Sequence, residues 1–100
     1  MEKLVTLFDI NEIYIADMCR YQHAWLSFLH DETENVKVQL KSIQHETIFK
    51  ELAHIFQSEI LDYIDKDVSG AIDNYLEFLE LYPNSIYYDD VRLRLRKLAS

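Results

Sequence analysis

Gly70 and Pro83 are the only glycine and the only proline among the 100 residues of this chain. Tight turns between β-strands depend on these residue types, so a fold with many strands would lack the turns it needs. Long helices joined by polar loops are compatible with the shortage. A hydrophobic content of 49% is enough to expect a packed core. The sequence therefore predicts an all-α fold in which residues 1–100 form a single domain.

An aromatic stripe marks the first predicted helix, whose start Asp9 or Asn11 can cap after a short apolar lead-in. The stripe residues recur at steps of three and four, which places them on one helical face. They are Tyr14, Met18, Tyr21, Trp25 and Phe28. Core packing explains the stripe. The alternative is that Tyr14, Tyr21 and Trp25 form a binding surface, because tyrosine and tryptophan often anchor interfaces.

The polar run HDETEN at residues 30–35 predicts a loop between helices. A long second helix is expected to begin near Val36 and to continue to Tyr63, because apolar residues recur at helical spacing throughout. The apolar face of this helix drifts around its axis. The drift predicts either a bend or different packing partners for the two halves, with the last helices packed on the second half.

Two helices and a turn are predicted in the last third of the chain. The third helix is expected at Val68–Leu81, capped by Asp65 or Asp67. Pro83 ends this helix because proline lacks an amide donor and restricts the residue before it. A fourth helix is then expected to begin near Ser85.

The C-terminal segment VRLRLRKL alternates apolar and basic residues, which is the period of a β-strand. Val91, Leu95 and Leu98 also share one helical face, and leucine and arginine are good helix formers. No second strand is visible for the segment to pair with, so a helix is the favoured interpretation.

The same C-terminal third resembles a known helical repeat. Ala71, Tyr75 and Pro83 have the spacing of the alanine, the aromatic residue and the proline of tetratricopeptide repeats. The stretch Ala71–Leu98 is also similar to the tetratricopeptide-like repeats of bacterial envelope assembly lipoproteins. This resemblance implies a helical hairpin as the last two helices of a small bundle of about four. Upstream, Phe56–Tyr63 departs from the repeat pattern, so no peptide-binding residue of the family is carried over.

Acidic residues outnumber basic residues by 18 to 10, which gives a formal net charge of −8. Such a field repels phosphate backbones and anionic lipid and attracts basic surfaces. We therefore expect no nucleic-acid and no membrane partner, and a protein partner with a basic surface. Four basic residues lie near the C-terminus, where they can complement the negative end of the last helix or form a contact patch for an acidic partner or a second copy. They are Arg92, Arg94, Arg96 and Lys97.

Cys19 is the only cysteine, so it cannot form an internal disulfide. Its position among apolar residues of the first helix predicts a buried free thiol. The stretch MEKLVTLFDINEI lacks the basic and apolar regions of a secretory signal, and no apolar run is long enough to span a membrane. We expect a cytoplasmic protein.

The residues of catalytic and metal sites do not occur in the required patterns. His45 begins HETIF, which lacks the second histidine of a zinc-protease helix. Glu51 and His54 form one Glu-x-x-His pair, whereas di-iron bundles need two. A phosphate-binding loop needs several glycines, and the serines lack the strand–turn–helix setting of a catalytic nucleophile. We expect no cofactor, no metal and no catalytic activity.

A small acidic chain without catalytic motifs is typical of a protein that binds a basic partner. We expect a non-enzymatic binding protein, either of the inhibitor or immunity type or an adaptor. The first alternative is a self-associating helical scaffold, since a half-repeat leaves apolar edges uncovered. The second alternative is a small-ligand or metal-binding bundle. Candidate contact residues are the aromatics of the first helix and the acid-rich segments DETE and YYDD: Tyr14, Tyr21, Trp25, Asp31, Glu32, Glu34, Tyr87, Tyr88, Asp89 and Asp90.

Overall fold

The computed structural model describes residues 2–100, with side chains from Glu12 onward, and this part of the chain contains helices and no strands. The all-α prediction is confirmed, with five helices in residues 2–100 in place of about four. A π-helical turn at Ile60–Ile64 continues the third helix. The five are α1 (Glu2–Leu29), α2 (Thr33–Lys41), α3 (Ile48–Glu59), α4 (Val68–Leu81) and α5 (Tyr88–Ala99).

The chain divides into two compact units, and the boundary between them falls inside α3. The N-terminal unit is Met1–Ala53, and the C-terminal unit is His54–Ser100. The single domain expected for residues 1–100 stays a prediction. In residues 2–100, no helix combines the length and the apolar composition that a membrane crossing requires.

Helix α1 begins at Glu2, so the expected cap residues Asp9 and Asn11 lie inside it. The predicted start was wrong because no glycine or proline precedes them to end a helix, and Leu, Lys and Glu upstream all favour one.

From Glu12 onward, the buried residues of α1 have small or polar side chains. Asp17, Ala24 and Ser27 recur at steps of seven and three residues, and all three are buried. Cys19 lies away from this face and is exposed, so the prediction of a buried thiol is wrong. In the neighbouring aromatic stripe, Tyr14 and Trp25 are exposed, and the other members are partly buried.

Helix α2 packs against α1 and buries Val36 and Leu40. Polar contacts accompany this packing. The side chain of Gln39 lies 3.4 Å from the hydroxyl of Ser27 and 3.2 Å from Nδ1 of His23. The N-terminal unit therefore combines an apolar contact between two helices with a polar link at its edge.

Helix α1 ends in a Schellman motif that has Asp31 where glycine usually occurs. Asp31 has a φ of 60°, in the left-handed region. The amide of Glu32 donates to the carbonyl of Ser27 at 2.9 Å, and the amide of Asp31 donates to that of Phe28 at 3.1 Å. Aspartate tolerates this backbone conformation better than most residues with a side chain. Asp31 therefore has a structural role in the loop.

The predicted long second helix is wrong, because the chain leaves helical geometry between Lys41 and Ile48. Ser42 donates its hydroxyl to the carbonyl of Gln39 at 2.6 Å. Side-chain hydrogen bonds of this kind compete with the helical backbone pattern. The drift of the apolar face thus reflects two helices, α2 and α3, joined by a loop.

Asp17 holds this loop on α1. Its buried carboxylate accepts a hydrogen bond from the hydroxyl of Thr47 at 2.8 Å and one from Arg20 at 3.2 Å. The ring of His45 lies 3.7 Å from the same carboxylate. A buried charge needs such partners, so the loop and the carboxylate stabilise each other.

The C-terminal unit contains the predicted hairpin. Helix α4 has the expected bounds, and α5 confirms the helical interpretation of VRLRLRKL. Helix α5 begins at Tyr88 and not near Ser85, because the Ser85 hydroxyl accepts a hydrogen bond from the Tyr87 amide at 3.0 Å and shapes a turn there. The resemblance to tetratricopeptide repeats stays a prediction. The core is Ala71, Tyr75, Phe78 and Val91, with Ile55, Leu61, Leu79, Tyr82, Tyr87, Leu95 and Leu98 packed against it.

Asp67 is the N-cap of α4, one of the two residues expected there. Its carboxylate accepts a hydrogen bond from the amide of Gly70 at 3.0 Å. A Cβ atom built on Gly70 would overlap that carboxylate. The cap is therefore compatible with glycine at position 70 and crowded by any other residue.

We predict that Gly70→Ala has opposing effects that depend on Asp67. Alanine raises helix propensity by up to about 1 kcal/mol, while displacing the cap costs about 1 kcal/mol. The substitution should be nearly neutral in the natural chain and should stabilise an Asp67→Ala variant. The natural chain, the two single variants and the double variant form a double-mutant cycle. Urea unfolding of all four, followed by circular dichroism, measures the coupling energy between positions 67 and 70. Equal effects of Gly70→Ala in both backgrounds would contradict the prediction.

Candidate functional site

An open cleft of about 260 Å³ lies in the C-terminal unit. Three tyrosines line it, so we call it the tyrosine cleft. The π turn, α4, α5 and the end of α3 each contribute side chains to its walls. The lining residues are Ile55, Glu59, Tyr63, Tyr75, Tyr87, Asp90, Val91 and Arg94.

The cleft is built on an ion pair between Asp62 and Arg94. Asp62 is buried, with 5% of its surface exposed. Nε and one terminal nitrogen of Arg94 donate to its two oxygens at 2.6 and 2.8 Å, and the Tyr75 hydroxyl donates to the same carboxylate at 2.9 Å. This two-point geometry is the strongest that arginine and a carboxylate form. Three elements, the π turn, α4 and α5, therefore meet at one carboxylate.

Burial and the hydrogen bonds of this network shift the pKa values of Asp62, Tyr75 and Arg94. The hydrogen bonds from Arg94 hold the pKa of Asp62 below its ordinary value and outweigh burial, which acts in the opposite direction. Burial, and then the hydrogen bond to Asp62, raises the pKa of Tyr75. The hydrogen bond to Asp62 also raises the pKa of Arg94. At neutral pH the network consists of a carboxylate, a guanidinium and a neutral phenol.

The π turn decides which residue of ILDYI points inward. Its wider ring is closed by the amide of Asp65, which donates to the carbonyl of Ile60 at 2.9 Å. As a result Asp62 is buried and Tyr63 is 49% exposed. The sequence predicted the opposite for Tyr63, which was expected to be the last residue of the apolar face. The Arg94 guanidinium lies 4.7 Å from the centre of the Tyr63 ring. Such extra-residue turns often occur at functional sites.

Two further carboxylates line the cleft, those of Glu59 and Asp90. Neither has an ion-pair partner among residues 12–100. Partial burial, and then the nearby charge of Asp62, raises the pKa of Glu59. Because Asp62 and Arg94 neutralise each other, these two carboxylates leave the cleft with an excess of negative charge.

The structure brings part of the predicted YYDD segment into the cleft. Tyr87 and Asp90 line it. Tyr88 is half-buried, and Asp89 is exposed and lies 3.5 Å from Arg92 in an ion pair.

Sequence reasoning missed five polar or aromatic residues that line or support the cleft. One signal was present, since ILDYI places a single acid inside an apolar run and VRLRLRKL offers arginines that could pair with it. The missed residues are Glu59, Asp62, Tyr63, Tyr75 and Arg94.

The basic C-terminal segment is not a uniform patch. Arg96 and Lys97 lie in the last turn of α5, as expected for residues that complement the helix end. Arg94 instead forms an ion pair with Asp62, and Arg92 forms one with Asp89.

The N-terminal unit carries a second candidate site, an aromatic surface on α1 and the start of α3. Tyr14 is 45% exposed and Trp25 is 43% exposed, while Tyr21 is half-buried. The rings form a contiguous series: Tyr14 to Phe49 at 5.1 Å, Tyr21 to Phe49 at 5.9 Å, Tyr21 to Trp25 at 6.5 Å and Trp25 to Phe28 at 5.8 Å between centroids.

The DETE segment follows the end of α1, in the same unit. Asp31, Glu32 and Glu34 are exposed. Glu32 accepts a hydrogen bond from the Asn35 amide at 3.2 Å, and Glu34 lies 3.7 Å from Lys37. These contacts are local and leave the carboxylates accessible to solvent.

The rings of His23, His45 and His54 have ordinary protein contacts in the structure. The ring of His54 lies 3.0 Å from the backbone oxygen of Asn74 and packs on Phe78 at 5.9 Å between centroids. Residues 12–100 contain no group of three or more side chains placed to hold a metal ion.

Comparison with protein-family models, with curated proteins and with solved structures gives no match to this chain.

We predict that Tyr75→Phe lowers the free energy of unfolding of the C-terminal unit by about 2 kcal/mol, the usual contribution of a hydrogen bond to a charged group. The substitution removes one hydroxyl that donates to the buried Asp62 carboxylate and retains the ring. Tyr88→Phe is the matched control, since the Tyr88 hydroxyl has no bonding partner in the described part of the chain. Chemical denaturation measures both, and equal losses would contradict the assigned role of Tyr75.

We also predict that the stabilising effect of Asp62 depends on pH. Its pKa is lower in the folded state, so the effect is complete above the unfolded value of about 3.9 and is lost as pH falls through the folded value. Asp62→Asn should therefore be much less stable than the natural chain at pH 7, and the difference should shrink below pH ~4. Urea midpoints across this range, with the exposed Asp73→Asn as control, test this. A constant difference would disprove it.

Proposed function

We propose that this chain is a non-enzymatic binding protein that engages a protein partner with a basic surface. The observation that carries the proposal is the tyrosine cleft, where aromatic rings are combined with two carboxylates that lack ion-pair partners among residues 12–100. An inhibitor, an immunity-type protein or an adaptor would use such a surface to cover a basic site, and the cytoplasm is the compartment that we propose.

The negative charge of the chain supports the proposal because it would speed association with a basic partner. With a net charge of −8, the chain attracts a basic partner over distances of about one Debye length, ~8 Å at physiological salt. Steering of this kind raises association rates by about 10- to 1,000-fold. The exposed acids of DETE and YYDD are placed to act in this way without any bond-making chemistry.

The aromatic surface supports a second contact area. Tyrosine and tryptophan are enriched among residues that dominate binding energy, because they bury a large area with few rotatable bonds. Tyr14 and Trp25 retain nearly half of their surface in the folded chain. They would supply short-range contacts after the acids have attracted the partner.

Self-association is the second candidate function, favoured by exposed apolar side chains. Leu29 and Val38 are each 68% exposed, and Ile86 is 84% exposed. A tetratricopeptide-like hairpin with uncovered apolar edges could stack on a second copy. Light scattering across a concentration series distinguishes this function, because only self-association raises the mass above 12.0 kDa with concentration.

The primary proposal is tested by neutralising the acids without disturbing the loops. One variant combines Asp31→Asn, Glu32→Gln and Glu34→Gln, since asparagine tolerates the left-handed conformation at position 31. A second combines Asp89→Asn and Asp90→Asn. The control combines exposed positions of α4: Asp73→Asn, Glu77→Gln and Glu80→Gln.

We predict that both test variants associate with the captured partner about tenfold more slowly at low salt, and that the difference vanishes at high salt. The control should change the rate much less. The partner is recovered by affinity capture from native extract, and its association is then measured by surface plasmon resonance at two salt concentrations. Equal slowing by all three variants, or a rate independent of salt, would reject the proposed role of these acids.

A further inference from the structure

The tyrosine cleft combines features that suit one positively charged side chain. We propose that it receives a single lysine or arginine side chain from the basic partner, an inference that rests on the function proposed above. The cleft lies wholly within the C-terminal unit, so all of its walls belong to residues 54–100.

The size of the cleft fits one side chain. Pockets for drug-sized ligands have volumes of about 300–1,000 Å³, and this cleft has about 260 Å³ and is open to solvent. It is therefore small for a cofactor and accessible to a residue that projects from another protein. Ile55 and Val91 provide apolar wall for the aliphatic stem of such a residue.

The charge of the cleft selects a cation. The positive charge of Arg94 is engaged by both oxygens of Asp62. Glu59 and Asp90 remain, and both are carboxylates without an ion-pair partner in residues 12–100. An anionic ligand would meet these two charges without a free cation to bind it. An ammonium or guanidinium group would instead be attracted by both carboxylates.

The aromatic lining favours the same ligand. Tyrosine faces attract cations through the negative potential of the ring. The structure already contains one example, the Arg94 guanidinium at 4.7 Å from the centre of Tyr63. Tyr87 lines the same cleft and is half-buried, so its ring is held in place by the core on one side.

The state of Glu59 supports the inference. Its raised pKa means that the folded chain disfavours its ionised form. A positively charged side chain placed in the cleft would remove this penalty. A cation in the cleft would therefore favour the ionised form of Glu59 and lower its pKa again.

The experiment is a nuclear magnetic resonance titration of the full chain with four probes. N-acetyl-arginine amide and N-acetyl-lysine amide carry the cations, N-acetyl-glutamine amide is the neutral control, and sodium acetate is the anionic control. We expect both cationic probes to shift the backbone amides of Glu59, Tyr87 and Val91 in a saturable way. The neutral and anionic probes should not.

Two variants test the assigned residues. Glu59→Gln should weaken cation binding about tenfold, and Tyr87→Leu, which keeps an apolar side chain, should weaken it about fivefold. Glu80→Gln, an exposed acid of α4 outside the cleft, should leave binding unchanged.

The inference is overturned if the neutral probe binds as well as the cations, if acetate binds in their place, or if Glu80→Gln weakens binding as much as Glu59→Gln. Its failure differs from failure of the proposed function. If Glu59→Gln and Tyr87→Leu leave partner association unchanged while the DETE variant slows it, the cleft is excluded, and the binding function then rests on the DETE acids and not on the cleft. If affinity capture recovers an acidic partner, or no partner, the proposed binding function itself is rejected.

Discussion

The C-terminal unit depends on one buried carboxylate. Asp62 can be buried as an ion only because Arg94 and Tyr75 supply three hydrogen bonds to it. Removing Arg94 would leave a charge in the core without compensation, and removing the Tyr75 hydroxyl would leave that charge one hydrogen bond short. The same bonds fix the π turn, α4 and α5 relative to one another, so the arrangement that stabilises the unit also sets the shape of the tyrosine cleft. Stability and the candidate site share one set of atoms.

A second buried carboxylate has a comparable role in the N-terminal unit. Asp17 holds the loop between α2 and α3 through the hydroxyl of Thr47, as Asp62 holds the middle of α5 through Arg94. Each unit thus uses a buried acid to fix a segment distant in sequence. A short chain with a small apolar core gains specificity of packing from such anchors, because an alternative packing would leave the acid without its partners.

Local signals in the sequence were sufficient for the fold class and for the hairpin, because they depend on neighbouring residues. Asp67 caps α4, and Pro83 follows its end, as the sequence predicts. The π turn and the Asp62–Arg94 pair could not be predicted in the same way, since the two residues are 32 positions apart and no local rule links them. The break between α2 and α3 was missed for a related reason, because Thr47 is held by Asp17, 30 positions away.

Two residues with side chains, Asp31 and Lys66, have left-handed backbone conformations, with φ of 60° and 56°. Glycine would relax the folded backbone at either position, but it would also increase the number of conformations open to the unfolded chain. These effects on the folding equilibrium oppose each other. By using side chains at both loop positions, the chain accepts local strain in the native state and limits the conformational entropy that it must lose on folding.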